Sequence, residues 1–159
     1  MVAAPRGPRV AMLEMGGWDT HANQAAPAGA LANNLRNLDA ALAALREAMP
    51  GSAWSRTVIV VATEFGREVA VNGTQGTDHG TGGAAFVLGG AVQGGRVLGD
   101  WPGLARAQRF EGRDLRITTD LRRVLKGVLG DHLRVPNAVI EQAVFPNSAA
   151  VRALPLLRA

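Results

Sequence analysis

The sequence predicts an α/β protein with a mostly parallel sheet and flanking helices. Residues 57–63 form a continuous β-branched and apolar run, which is typical of a strand buried on both faces of a parallel sheet. Residues 28–49 carry leucines at alternating spacings of four and three, which indicates one long amphipathic helix. A further apolar run at 84–88 makes strands and helices alternate, as they do in βαβ units.

The remaining predicted elements continue this alternation of strands and helices. Residues 10–15 are a short apolar run that ends at a Gly-Gly pair, and we interpret them as the first strand. A second helix is predicted to begin near 118–120, with a threonine as its N-cap, and to end at Gly130. A short third helix is expected after Asn137, with Val139, Ile140 and Val144 facing inward.

Composition excludes several classes of function. The chain of 159 residues contains no cysteine, so disulfides, a thiolate nucleophile and cysteine-bound metals are excluded. The net charge is +4, but acidic residues interrupt the arginine-rich stretch 106–123 and aromatic residues make up only 4%, so we expect no nucleic-acid binding. No apolar run reaches the ~18 residues of a membrane span, and we recognise no export signal in this chain.

Three glycine-rich segments carry the residues suited to chemistry. Segment 16–21 follows the first predicted strand, segment 63–67 follows the second, and segment 76–80 precedes the third. In a parallel sheet, ligands bind in the crevice beyond the carboxyl ends of the strands. We therefore expect the polar side chains of these segments to form the functional site.

The residue types in these segments favour a divalent metal. Asp19 and His21 are two positions apart, so on an extended backbone both project to the same side. Glu64 is the first charged residue after the buried run, and Asp78 and His79 are adjacent. Carboxylate and imidazole together are typical ligands of Zn²⁺ and similar ions.

Structural interpretations remain open beside the metal hypothesis. An Asp-x-His sequence in a glycine-rich turn also closes an Asx turn or caps a helix. Glu64 and Arg67 are spaced to form a surface ion pair. Asp78 and His79 either serve two metals, or one binds metal while the other orients a neighbour.

In this order, the three segments resemble the signature segments of the domain-of-unknown-function 1501 family. Residues 89–95, 118–122 and 144–146 also fit that family, and the resemblance runs from about residue 10 to the C-terminus. The family is similar to the alkaline phosphatase and sulfatase superfamily. The resemblance implies a mostly parallel sheet between helices, a two-metal site and hydrolysis of phosphate or sulfate esters.

The resemblance also implies roles for individual residues. Carried over by position, the metal ligands are Asp19, His21, Glu64, Asp78 and His79. Zinc is the first candidate ion, with manganese, calcium and magnesium as alternatives. Arg67 is expected to contact an oxygen of an anionic ester substrate.

The superfamily's nucleophile and its first metal-binding acid precede the matched region. The resemblance therefore implies a carboxyl-terminal portion, with a flexible segment 1–9, a partial, alkaline-phosphatase-like α/β domain 10–145 and a tail 146–159. Such a portion is expected to be inactive alone and to associate through an exposed sheet edge. Full-length relatives often carry a twin-arginine export signal. The alternative is a non-catalytic α/β module that binds a metal or a partner chain.

Overall fold

A computed structural model describes residues 7–24 and 28–158, so the first six residues of the predicted flexible segment lie outside the described part. The helices are α1 (Ala30–Ala48), α2 (Gly51–Trp54), α3 (Leu121–Gly127) and α4 (Asn137–Val139). The strands are β1 (Ile59–Val61), β2 (Gly66–Arg67), β3 (His79–Gly80) and β4 (Phe86–Leu88). π-Helical turns extend α3 through Val128–His132 and α4 through Ile140–Val144.

The strands form two antiparallel pairs, so the prediction of a mostly parallel sheet is wrong. β1 pairs with β4, with Ile59 opposite Leu88, and β2 pairs with β3. Within the described residues, no two strands are parallel. The reason for the error is physical: a β-branched run favours an extended backbone, but it does not specify the partner strand or its direction. The alkaline-phosphatase-like sheet expected from the resemblance is likewise absent from the part of the chain that the structure describes.

The predicted first strand is also wrong. Residues 10–15 form no strand, and their side chains are solvent-accessible, with Met12 92% and Leu13 86% exposed. A strand forms only where a neighbouring backbone completes its hydrogen bonds. Among the described residues, no neighbouring backbone pairs with this segment, so its apolar character does not produce β-structure.

The predicted long helix is confirmed, but the apolar face that its leucine spacing predicts is not buried. α1 begins two residues after the predicted start, ends one residue before the predicted end, and contains no buried residue. Its alanine- and leucine-rich sequence favours a helix by intrinsic propensity. At its first turns, the Asn34 amide donates a hydrogen bond to the Gly17 carbonyl oxygen, which joins α1 to the segment before the site.

A small core lies at the C-terminal end of the chain. Its buried apolar residues are Val92, Val124, Ile140 and Leu156. Segment 154–158 lies between neighbouring elements, because Leu154 donates its N–H to the Arg123 carbonyl oxygen and Gln93 donates to that of Leu156. Of the three residues expected to face inward after Asn137, only Ile140 does so. Val139 and Val144 are 45% and 44% exposed.

The N-cap of α3 is a different residue from the one predicted. Asp120, not a threonine, is the N-cap, and its Oδ1 accepts a hydrogen bond of 2.8 Å from the Arg122 N–H. A carboxylate satisfies the free N–H groups and also interacts favourably with the positive end of the helix dipole. The Arg122 guanidinium lies against the same carboxylate and holds the pKa of Asp120 below its usual value.

The chain buries little surface for its mass. Its accessible area is 10,883 Å². A compact monomer of 16.6 kDa exposes about 7,600 Å². The fold therefore depends on its local secondary structure and on a small buried core. No helix in the described ranges has both the length and the apolar character needed to cross a membrane.

Candidate metal centre

The candidate site lies on the antiparallel pair of β2 and β3, which has two residues in each strand. Arg67 lies directly opposite His79, and Gly66 lies opposite Gly80. Residues directly opposite in an antiparallel pair project to the same face. Glycine is required at position 66, because a Cβ there would lie 2.2 Å from the carbonyl oxygen of Gly82. Close backbone packing thus fixes the position of His79.

The segment that carries Asp19 and His21 is held against residues 72–77. Asn23 donates to the Thr74 carbonyl oxygen, and Thr77 donates to that of Thr20. The carbonyl oxygen of His21 accepts hydrogen bonds from the Asn72 amide at 2.9 Å and the Thr74 hydroxyl at 2.7 Å.

Gly76 makes this close approach possible. A Cβ on Gly76 would lie 2.1 Å from the carbonyl carbon of His21. Real Cβ atoms do not approach backbone this closely, so only glycine fits here. Segment 18–24 can therefore lie directly on residues 72–77 and bring His21 to the edge of the β2–β3 pair.

Asp19, His21 and His79 converge into one cluster. One donor atom from each of the three side chains lies within 4.8 Å of the others. Oδ1 of Asp19 is 2.9 Å from Nε2 of His21 and 2.7 Å from Nε2 of His79. The imidazole ring centroids are 4.9 Å apart. The Nε2 atoms of both histidines therefore face the same carboxylate oxygen.

Asp78 lies on the other side of the His21 ring. Its Oδ1 is 3.1 Å from Nδ1 of His21 and accepts a hydrogen bond of 3.0 Å from the Asn72 amide. This arrangement places a carboxylate on the imidazole nitrogen that does not face the cluster. In metal sites such a partner fixes the tautomer and the ring orientation of a ligand histidine.

Both carboxylates are held in their charged form. The hydrogen bond from His79, with the charges of His21 and Arg67, holds the pKa of Asp19 below its usual value. The hydrogen bond from Asn72, followed by that from His21, lowers the pKa of Asp78. A carboxylate ligand must be deprotonated, so the surroundings favour the form of Asp19 that can bind a metal.

An aromatic ring packs against His79. The Phe65 ring is stacked on the His79 imidazole, with centroids 4.3 Å apart and an interplanar angle of 14°. The Arg67 guanidinium carbon lies 4.8 Å from the centroid of the same phenyl ring. The imidazole is thus oriented by an aromatic contact on its face and by Asp19 at its edge.

The structure does not bring Glu64 into this cluster. Glu64 is exposed, and the group of converging donor atoms found among the described residues is made of Asp19, His21 and His79. Glu64 precedes β2 by two residues, and the ladder that fixes His79 begins only at Gly66. Arg67 pairs with Asp19 and not with Glu64.

The cluster has the donor set of a zinc site with an open position. Two imidazole nitrogens and one carboxylate are a known three-ligand set, in which solvent or substrate takes the fourth place. In tetrahedral zinc sites the ligand atoms lie about 3.3 Å apart. The distances of 2.7 and 2.9 Å from Asp19 Oδ1 to the two Nε2 atoms would each have to lengthen by about half an ångström. The three candidate side chains are each about half exposed, at 54%, 47% and 51% for Asp19, His21 and His79.

Two contributors to the site were missed by the sequence interpretation. Asn72 holds both the His21 backbone and the Asp78 carboxylate, and Phe65 stacks on His79. The Asn72-Gly73 pair is a turn signal that would have placed residues 72–77 in a tight loop. The sequence holds no comparable signal for the contact of Phe65.

The described chain is therefore a small α+β protein with an exposed cluster of one carboxylate and two imidazoles. It belongs to the family described as "Protein of unknown function (DUF1501)", whose model matches residues 2–144. This finding confirms the family resemblance identified from the sequence. No curated protein and no solved structure shows a significant match to the chain.

Proposed function

We propose that this chain binds a divalent metal ion, zinc first among the candidates, through Asp19, His21 and His79. The convergence of these three side chains from two separate segments is the observation that carries the proposal. Asp78 acts through His21 by accepting a hydrogen bond from its Nδ1–H, so that Nε2 presents its lone pair to the ion. Manganese, calcium and magnesium are less suited, because two of the three donors are imidazoles.

The proposed purpose of the metal is hydrolysis of phosphate or sulfate esters. A bound zinc ion with an open position polarises an ester oxygen and lowers the pKa of a bound water. The half-exposed ligands leave room for a substrate to approach. The excess of basic over acidic residues, which gives a net charge of +4, favours an anionic substrate.

The described residues supply no evident protein nucleophile near the ligands. Thr20 and Thr77 are buried, and both donate their hydroxyl hydrogen to Oε1 of Gln24. Thr63 and Thr81 donate to backbone carbonyl oxygens. We therefore expect the chain to bind metal and anion while turning over an aryl phosphate or sulfate ester slowly or not at all.

The second candidate is a metal-binding module without catalysis. Two surface cavities, of about 270 and 310 Å³, are lined by residues other than the metal ligands. Substrate sites are usually concave pockets, and neither of these two cavities adjoins the cluster. The two candidates differ in one measurable property, which is anion binding at the metal.

Calorimetric titration with Zn²⁺ tests the metal proposal. The wild type is expected to bind one ion, and His79→Ala is expected to lose most of the affinity. His132→Ala is the matched control, because this third histidine lies in the π-helical turn after α3 and outside the cluster. An absence of zinc binding by the wild type, or an equal loss in both variants, would overturn the proposal.

Inorganic phosphate and sulfate then separate the two candidates. Titration of either anion into the zinc-loaded wild type is expected to show binding that disappears in the metal-free protein and in His79→Ala. Zinc binding without any anion binding would favour the non-catalytic module. Turnover of an aryl phosphate that a chelator abolishes would contradict the expected inactivity of the chain alone.

A further inference from the structure

The guanidinium of Arg67 joins the two segments that carry the cluster. Its Nη2 donates to the carbonyl oxygen of Trp18 at 2.7 Å and to Oδ1 of Asp19 at 3.0 Å. Its Nη1 donates to the carbonyl oxygen of Thr77. Trp18 immediately precedes Asp19, and Thr77 lies two residues before His79. One side chain therefore fixes the spacing between a carboxylate and an imidazole that are 60 residues apart.

The surroundings of Arg67 favour a fixed side chain. It is 24% exposed, whereas the carboxylate that it contacts is 54% exposed. Both hydrogens of Nη2 are used by protein acceptors, since Trp18 and Asp19 each take one. The terminal nitrogens that would clamp an anion in a bidentate manner are thus bonded to the protein itself.

We propose that Arg67 is a positioning residue for the metal site; this inference rests on the proposed metal binding. An exposed aspartate samples several rotamers, so the free energy of metal binding then includes the entropic cost of ordering it. The hydrogen bond from Arg67 holds the Asp19 carboxylate where it faces Nε2 of both histidines. The same guanidinium contacts the Phe65 ring, which is stacked on His79.

A lysine cannot replace this arrangement. The guanidinium is planar, and its donors reach three acceptors in fixed directions, whereas a lysine ammonium is a single point of charge. Arg67→Lys retains the positive charge beside Asp19 but cannot bond Trp18, Asp19 and Thr77 at the same time. The proposal therefore predicts that the fewer hydrogen bonds of a lysine restore only part of the metal affinity.

Zinc titrations of the full chain test this inference. Arg67→Gln is expected to weaken Zn²⁺ binding by about 10- to 100-fold, which is typical of a lost partner of a metal ligand. Arg67→Lys is expected to show an intermediate loss. Arg56→Gln is the matched control, because its guanidinium donates to Ser52 in α2 and should leave the affinity unchanged. Thermal unfolding of the metal-free variants checks that each is folded; if Arg67→Gln is not, the comparison is made with Arg67→Lys.

A double-mutant cycle with Asp19→Asn distinguishes positioning from a merely structural role. If Arg67 acts through the Asp19 carboxylate, its replacement should cost little further affinity when Asn is already present at position 19. Equal losses in the two backgrounds, or an unchanged affinity of Arg67→Gln and Arg67→Lys, would overturn the inference and leave the metal site standing. An absence of zinc binding by the wild type would instead remove the proposed function, and the inference with it.

Discussion

Nε2 of His79 lies 2.7 Å from Oδ1 of Asp19, although 60 residues separate the two positions. This contact depends on two separate backbone arrangements. The β2–β3 ladder holds His79, and the hydrogen bonds between segment 18–24 and residues 72–77 hold Asp19. The site is therefore a product of the tertiary structure and not of one local motif.

Replacement of single candidate ligands should separate His21 from Glu64. His21→Ala removes an atom of the cluster, so zinc affinity should fall by more than the 10- to 100-fold that is typical of an outer partner. Glu64→Gln should leave the affinity unchanged, because Glu64 lies outside the cluster. A large loss in Glu64→Gln, measured by the same calorimetric titration, would mean that the ligand set implied by the family resemblance is right at this position.

Asp78 should matter for affinity without being a ligand. Asp78→Ala removes the acceptor for Nδ1 of His21, and zinc affinity is expected to fall by about 10- to 100-fold. Asp78→Asn keeps an acceptor oxygen and should lose less. X-ray absorption at the zinc edge should show the same ligands in both variants as in the wild type. A changed ligand set would make Asp78 a direct ligand.

The N-cap of α3 makes a pH-dependent contribution to stability. Asp120→Ala is expected to lower the free energy of unfolding by about 1 kcal/mol at neutral pH. The Arg122 hydrogen bonds lower the pKa of Asp120 from 3.8, so the charge contribution is fully present above pH 3.8. It is lost as the pH falls through the lower pKa of the folded state. Denaturant unfolding between pH 7 and pH 2.5 measures this, and a constant difference between variant and wild type would contradict it.

Truncation of apolar residues should be costly in the C-terminal core and cheap in α1. Ile140 is 2% exposed, and Ile140→Ala is expected to cost about 2–5 kcal/mol of unfolding free energy. Leu42→Ala should cost about 1 kcal/mol or less, because no residue of α1 is buried and alanine favours the helix. Equal losses for the two variants in denaturant unfolding would indicate that α1 is covered in solution.

The sequence predicted where regular structure occurs better than how it pairs. The leucine stripe placed α1 to within two residues at either end, and the runs 57–63 and 84–88 contain β1 and β4. Local propensity was sufficient for these three elements, although it failed at residues 10–15, which form no strand. The antiparallel pairing of β1 with β4 was not predictable in this way, because it depends on contacts between distant residues.

For the candidate site, likewise, the residues were predicted better than the structure that brings them together. Glycine-rich segments with Asp and His drew attention to Asp19, His21 and His79, which the structure brings together. The geometric reason predicted for their proximity was wrong, because no parallel strands of the described residues end at this site. They meet through an antiparallel ladder of two residues per strand and a loop held by Asn72. Glu64, chosen for its position after a buried run, is not part of the converging group found among the described residues.

X-ray absorption at the zinc edge of the zinc-loaded wild-type chain identifies the metal ligands themselves. Two imidazole nitrogens and one carboxylate oxygen are expected at about 2.0–2.1 Å from the metal, with the remaining place taken by solvent. His21→Ala and His79→Ala should each remove one imidazole from this shell. A zinc ion surrounded by oxygen alone, or a shell that is unchanged in both variants, would rule out the proposed site.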